Sequence, residues 1–448
     1  MATYSLRKRA LALAASAAML VYGSNASALG LLEAYQAALT NDPVFQSATQ
    51  EYLAGQENKI LGRSLLLPNV SANYANSKNR ADVEAVNILG NKSLTHPEYY
   101  SRQASIQLRQ ALFSMDSWAR YKQGLAQSDY ATAIFESRRQ ELILRVAAAY
   151  TDALFATEQL RLSEVQRDMY AEQQKVNNQL FEKGEGTKTD MLETQSRMDL
   201  SEALVLEAQD NLQTANATLS AMVGQEVLGL DDLNPSFSIS QVPLGSIEDW
   251  KTSALADSPD IQSQRYAVET AHQEVNKARS GHAPRLDFVA SYSKNKANTV
   301  DTYNQDSTVR SIGIQLNVPL YSGGQVSSAT RQAVAGQEKA KADLQTTTDK
   351  VLIELRKQYA LVLSSAAKIR ALEKAVSSGE LLIQATENSI KGGVRINLDL
   401  LNAQQQLYTS KRDLAQARYN YLVSTLRLKS AAGKLDDDAL RAMAAYFR

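Results

Sequence analysis

Few side chains in this 448-residue sequence are spaced for chemistry, and most of those that are lie beside two glycine turns. Gly184-Glu185-Gly186-Thr187-Lys188-Thr189 joins glycine, lysine and hydroxyls as a phosphate-cradling loop does, but the glycine-to-lysine spacing of that signature is missing and no strand precedes it. A turn between helices is the plainer reading. Arg395 and Asp399 stand four apart, the spacing of an exposed ion pair along a helix, worth about 0.3–0.5 kcal/mol. His96, His272 and His282 are not placed as a metal pair would be. Neither G-x-S-x-G nor H-E-x-x-H occurs, and Asp436-Asp437-Asp438 reads as a helix cap rather than a calcium site. With no cysteine there is no thiolate nucleophile, no disulfide and no N-terminal thiol to carry a lipid. The expectation is a protein that is not an enzyme and holds no cofactor or metal.

The elements that carry these residues are long. Eight prolines and 20 glycines are few for this length, and Glu98 to Asn234 and Leu320 to Arg448 contain no proline at all. Leu142, Val146, Ala149, Ala153, Ala156 and Leu160 step by fours and threes, as a coiled-coil seam does. The pattern predicts helices over about 115–182 and 324–390, each about 100 Å long at 1.5 Å per residue. Such rods need neighbours along their whole length. Glycine turns at Gly184 and Gly186, and at Gly392 and Gly393, return the chain into helices over about 188–223 and 396–432.

The order of elements is written twice. Leu31 to Pro43 aligns with Ile247 to Pro259 at an offset of 216, which also carries Pro68 onto Pro284. Asp190, Gln195 and Gly224 match Asp399, Gln404 and Gly433 at an offset of 209. The reading is a first repeat over 29–224, a linker over 225–245, a second repeat over 246–433 and a tail over 434–448. Each repeat opens with a helix of about 25 residues ending at Pro68 or Pro284, followed by two strands. The strands are expected over about 69–78, 101–113, 285–295 and 309–321, with polar, irregular loops at 79–99 and 297–308. Ile312, Ile314, Leu316, Val318 and Leu320 alternate with mostly polar neighbours, a period of two with one apolar face.

Arg7-Lys8-Arg9, an apolar run from Ala10 to Tyr22 and Ala26-Ser27-Ala28 have the order of a secretory signal peptide, with cleavage expected after Ala28. No later stretch approaches the roughly 20 apolar residues of a spanning helix. The 48 basic and 48 acidic residues are mixed throughout, so no basic surface points to nucleic acid. Ten-residue strands with one apolar face in an exported chain are what a transmembrane β-barrel requires. Four strands cannot close, whereas three copies would pool twelve. A small soluble sheet capping a coiled coil is the alternative on strand pattern alone. Tyr99, Tyr100, Tyr303 and Tyr321 near strand ends would suit an interfacial aromatic girdle.

Residues 391–433, above all DLLNAQQQLYTSKRDLAQARYNYLVSTLRLKSAAG, resemble the closing helical hairpin of the TolC-type outer-membrane channels. LLEAYQAALTNDP and Leu66-Leu67-Pro68 resemble that family's opening segment, so the likeness spans essentially the whole chain after residue 28. The resemblance implies a mainly α fold with a small membrane β part: a homotrimer whose twelve-stranded barrel sits among outer-membrane lipid and continues as a twelve-helix periplasmic tunnel. It implies partners too, a periplasmic adaptor and an inner-membrane transporter. Lipid-anchored members are mostly drug-efflux components. Lacking that cysteine, this chain looks closer to the branch that works with ABC transporters in type I secretion of protein cargo such as proteases and lipases. Drug or metal efflux is the rival within the family, and a soluble periplasmic coiled-coil scaffold the rival outside it. The resemblance also implies a gate at the hairpin turns, with an arginine held by a threonine-aspartate pair and aspartates ringing the constriction. These fall on Arg395, Thr189, Asp190 and Asp399. Asn402 stands where the family has a second ring aspartate, and Ile390 where some members have a tyrosine.

Overall fold

Two repeats contribute four long strands to one antiparallel sheet of order β1-β4-β5-β6, with β1 (Asn69–Arg80), β4 (Glu98–Phe113), β5 (Arg285–Ala297) and β6 (Gln305–Asn317). The computed structural model describes residues 28–86, 90–235, 237, 239, 244–297, 305–392 and 394–448. The segment expected to be a leader, together with Pro243, Tyr303 and Gly393, lies outside the described residues, except for Ala28.

Period-two alternation sets the register. Val70 faces Leu108, which faces Ala290, which faces Ile312, and Ile106 lies between Ala72 and Tyr292. One face is therefore a continuous apolar band, and it is exposed: Ile312 is 79% accessible and Ile314 68%. The other face carries Ser71, Gln107, Ser291 and Ser311. At its helix-proximal end buried Asp287 accepts from Arg109 at 2.6 Å and from Arg285 at 3.0 Å. Strands β1 and β6 each pair on one side only, so both edges keep unpaired backbone groups.

Strand ends differ from the expectation. Pairing runs on to Arg80 and Ala297, and β6 stops at Asn317 because Pro319 cannot donate to a ladder. Val318 to Tyr321 are thus not strand. The loop expected at 79–99 contains its own ribbon, β2 (Val83–Val86) paired with β3 (Lys92–Thr95). Tyr99, opposite Asn79, lies on the polar face, so Tyr74, Tyr100 and Tyr292 are the tyrosines of the apolar face.

The opening helices ending before Pro68 and Pro284 are α2 (Pro43–Ser64) and α6 (Pro259–Arg279), and each is broken from a short preceding helix, α1 (Leu31–Asn41) or α5 (Ile247–Asp257). Proline is the reason, since the residue before it is pushed out of helical geometry. Asp42 and Ser258 take extended ψ values of 117° and 120°. Asp42 is buried and its carboxylate caps α2 through Phe45 N–H at 2.7 Å while Arg145 grips it at 2.9 and 3.0 Å. Burial pushes this carboxyl up, but Arg145 and the backbone N–H groups outweigh it and hold it below the usual carboxylate range.

The rods are α3 (Met115–Glu182) and α7 (Gln325–Lys391), of 68 and 67 residues; the returning helices are α4 (Lys188–Val223) and α8 (Asn397–Ala431). Along α3 the seam residues Leu142, Val146 and Ala153 are fully buried. No described helix is long and apolar enough to cross a membrane. A last helix, α9 (Asp437–Ala444), starts at Asp436, whose carboxylate accepts from Ala439 N–H at 2.8 Å.

Two compact units divide the chain, and neither coincides with a repeat. One holds the sheet, Ala48–Ser137 and Asp257–Leu352. The other gathers Met1–Ser47, Arg138–Ala256 and Ile353–Arg448. In it Leu29 bridges to Leu230 and Leu233 to Phe447, and Tyr150 donates to both Leu29 O and Asp231 O at 3.0 and 3.2 Å.

Candidate functional site

The two hairpin turns are built differently. In the first, Gly184 ends α3 at φ +76°, which only glycine adopts without strain. The N–H groups of Glu185 and Gly186 then return to Leu180 O at 2.9 and 3.1 Å. A Cβ on Gly186 would sit 3.1 Å from Leu180 Cβ, a tight approach that Leu180 would have to yield to. Thr187 caps α4: its Oγ1 accepts from Asp190 N–H at 3.1 Å and donates to Asp190 Oδ2 at 2.6 Å, while its own N–H donates to that oxygen at 3.3 Å. This is a reciprocal capping box, and it occupies one oxygen of Asp190. Asp190 Oδ1 has no partner among the described residues, and Thr189 beside it is exposed.

In the second turn Gly392 N–H returns to Asn388 O at 3.1 Å with an ordinary φ, and Val394 N–H to Ser389 O at 2.9 Å. The cap position falls on Ile396, which has no side-chain oxygen to offer, and only its backbone O accepts from Asp399 N–H, at 3.1 Å. Asp399 occupies the position of Asp190 but has no box to close. Its carboxylate lies 3.7 Å from Arg395, and both side chains are well exposed, 39% and 50%. Within one chain, Arg395 thus meets Asp399 rather than Thr189 or Asp190. Asn402 does not stand free: its Oδ1 accepts from Arg197 of α4 at 3.1 Å.

A second group joins the two hairpins from inside. Asn397 Oδ1 accepts from Gln173 of α3 at 2.9 Å, and its amide donates to Thr194 of α4 at 3.2 Å. Thr194 also accepts from Asn177 at 2.7 Å and donates to Asp190 O at 2.9 Å. Thr194 is fully buried and Asn177 nearly so. Farther along, Gln166 donates to Gln405 at 2.9 Å, Tyr170 reaches the same oxygen at 3.4 Å, and Ser163 meets Tyr408 at 3.0 Å. Burial pushes the Tyr170 phenol above its ordinary value, outweighing Gln166, so it stays a neutral donor. These partners carry no charge, so salt does not screen them, and each such bond contributes about 1 kcal/mol.

None of these ladder residues was singled out from the sequence. The signal was present. Ser163, Gln166, Tyr170, Gln173 and Asn177 step by threes and fours, continuing the seam of Leu142 to Leu160 with polar side chains in place of apolar ones. A seam that stays in period while turning polar marks where a helix pair is specified by hydrogen bonds.

Long coiled rods, a four-stranded sheet with one exposed apolar face, and a pair of polar-latched hairpins define the class: a β-anchored outer-membrane channel. Among solved structures, the Campylobacter jejuni CmeC outer membrane channel is similar over 93% of this chain and 90% of its own, with a TM-score of 0.78 at 15% identity. Residues 34–225 and 250–434 match the outer membrane efflux protein family, and the chain belongs to that family. The alkaline protease secretion protein AprF of Pseudomonas aeruginosa is 42% identical over 431 residues, 96% of this chain and 89% of that one. The proteases secretion protein PrtF of Dickeya chrysanthemi is 36% identical over 435 residues, 95% and 93% of the two chains. The chain is an outer-membrane channel protein that extends into the periplasm.

Proposed function

We propose that this chain is the outer-membrane exit duct of a type I secretion system, passing a protein such as a protease from an ABC transporter and its periplasmic adaptor to the exterior. The observation that carries the reading is end-to-end similarity to two protease secretion proteins, covering 89% and 93% of their lengths. The unpaired edges of β1 and β6 and the exposed apolar face support a homotrimer in which three four-stranded sheets close one barrel. At the tip, Asp399 is the constriction residue of each copy. Arg395 binds the free Oδ1 of Asp190, beside Thr189, on a neighbouring hairpin of the assembled ring.

Asn402, held by Arg197, lies beside Asp399 without adding charge. One carboxylate per copy makes a weaker cation-attracting ring than two would. No catalytic step belongs to this reading. The test is complementation: in a strain lacking its duct but keeping the matching transporter and adaptor, this chain restores extracellular protease. Restored drug resistance without restored protease export would make it an efflux duct instead. Crosslinking of the detergent-extracted outer-membrane fraction gives a trimer; a monomer released without detergent would sink the shared barrel.

A further inference from the structure

The apolar face of the sheet does not end in neutral residues. Beyond the apolar band, at the end farthest from the helices, the same face continues into Lys78, Arg80, Arg102, Lys294, Lys296 and Arg310. All six are exposed. Glu98, paired with Lys78 at 3.1 Å and Arg80 at 4.0 Å, and Asp306, 3.7 Å from Lys296, are the only acids on that part of the face among the described residues. Arg102 and Lys294 make no ion pair among the described residues, and Arg310 lies over the Tyr292 ring at 5.7 Å.

The arrangement is costly on its own. Arg102 stands directly opposite Lys296, and like charges across a strand pair repel. Nothing on the opposite face compensates at that height, where Gln103, Ser105, Ser293 and Asn295 are uncharged. The belt is also one-sided. At the helix-proximal border the same face presents Leu286 and Leu316, with no charge. Since the helices lie on the periplasmic side, the basic end is the outer one.

From this placement we infer that Arg102, Lys294 and Arg310, flanked by Lys78, Arg80 and Lys296, form a binding belt for the phosphate groups of glycolipid headgroups in the outer leaflet. The inference rests on the outer-membrane location and not on the secretion role. An apolar band followed by cations matches acyl chains followed by anionic headgroups. Guanidinium forks pair with phosphate oxygens two at a time, and Tyr74, Tyr100 and Tyr292 mark the interface between the two zones. Bound phosphate would relieve the repulsion between Arg102 and Lys296.

The test uses the full-length channel purified from outer membranes in detergent, with a bisphosphorylated diglucosamine glycolipid and its dephosphorylated form as probes, read by native mass spectrometry. The native chain is expected to hold the phosphorylated lipid at least tenfold more tightly than the dephosphorylated one. Arg102→Gln/Lys294→Gln/Arg310→Gln removes that preference while heat-modifiable mobility stays unchanged, and Lys294→Arg keeps it. Equal binding of both lipids by the native chain overturns the inference without reliance on any variant. So does a preference that survives the triple substitution in a folded channel, or displacement of the lipid by millimolar inorganic phosphate.

Discussion

The two hairpin turns descend from one repeated pattern, yet the first is closed on itself and the second is open. Thr187 and Asp190 lock the start of α4 in a capping box, whereas Ile396 leaves Asp399 with only an exposed arginine at 3.7 Å. The start of α8 is held instead by groups outside its own hairpin, through Asn397 and Asn402. The repeat places a carboxylate at the same position of both turns, and in the proposed ring Asp399, with no capping hydroxyl before it, is the one left to face the pore. In the proposed gate the first hairpin is the fixed frame and the second the part to be released.

The largest effect is expected from Asn397→Leu, which leaves Gln173 only its bond to Asn177 and takes a donor from buried Thr194. It should loosen the second hairpin by about 3 kcal/mol, read as lost amide-exchange protection over residues 397–404 and a higher open probability in planar bilayers. Adding Gln173→Leu should recover part of this, because removing both partners costs less than removing one. Arg395→Gln comes next, at about 2 kcal/mol, if the arginine reaches Asp190 of a neighbouring copy. An effect near 0.4 kcal/mol would confine it to Asp399 of its own chain. Thr187→Ala should cost the first turn about 1 kcal/mol, and Ile396→Thr should return something under 1 kcal/mol to the second. Equal exchange rates at residues 188–191 and 397–400 in the native channel would break the comparison outright. The smallest structural change is Asp399→Asn, which should lower the ratio of cation to anion permeability with no loss of stability. Asp190→Asn should leave that ratio alone, since in the proposed ring its charge is already paired with Arg395 of a neighbouring hairpin.

The rods, the returning helices and the duplication were legible because proline and glycine are rare enough to act as punctuation. The breaks at Asp42-Pro43 and Ser258-Pro259 were legible as well, since proline marks the joints, but the short helices before them were not expected. Strand faces followed from alternation. Strand ends did not, because Arg80, Lys296 and Asp306 look like loop residues until the register shows them paired. At the tip, spacing marked Arg395 and Asp399 as a pair, and the family resemblance brought in Thr189, Asp190 and Asn402. What could not be read was that Thr194 and Asn397 meet, since that contact joins residues 203 positions apart on helices from different repeats.

The division into units sets an order of events for the chain. The unit containing the N-terminal segment also needs Ile353–Arg448, and Leu29, Leu230, Leu233 and Phe447 come together only when both ends are present. Neither copy of the repeat can therefore finish folding while the other is still being made, as loop closure across almost the whole sequence must come first. Such a chain is expected to keep its two units incomplete until synthesis ends. A polypeptide passes a narrow translocation pore before its tertiary contacts form, so the interleaving predicts slow folding and a chain that reaches the export machinery still open.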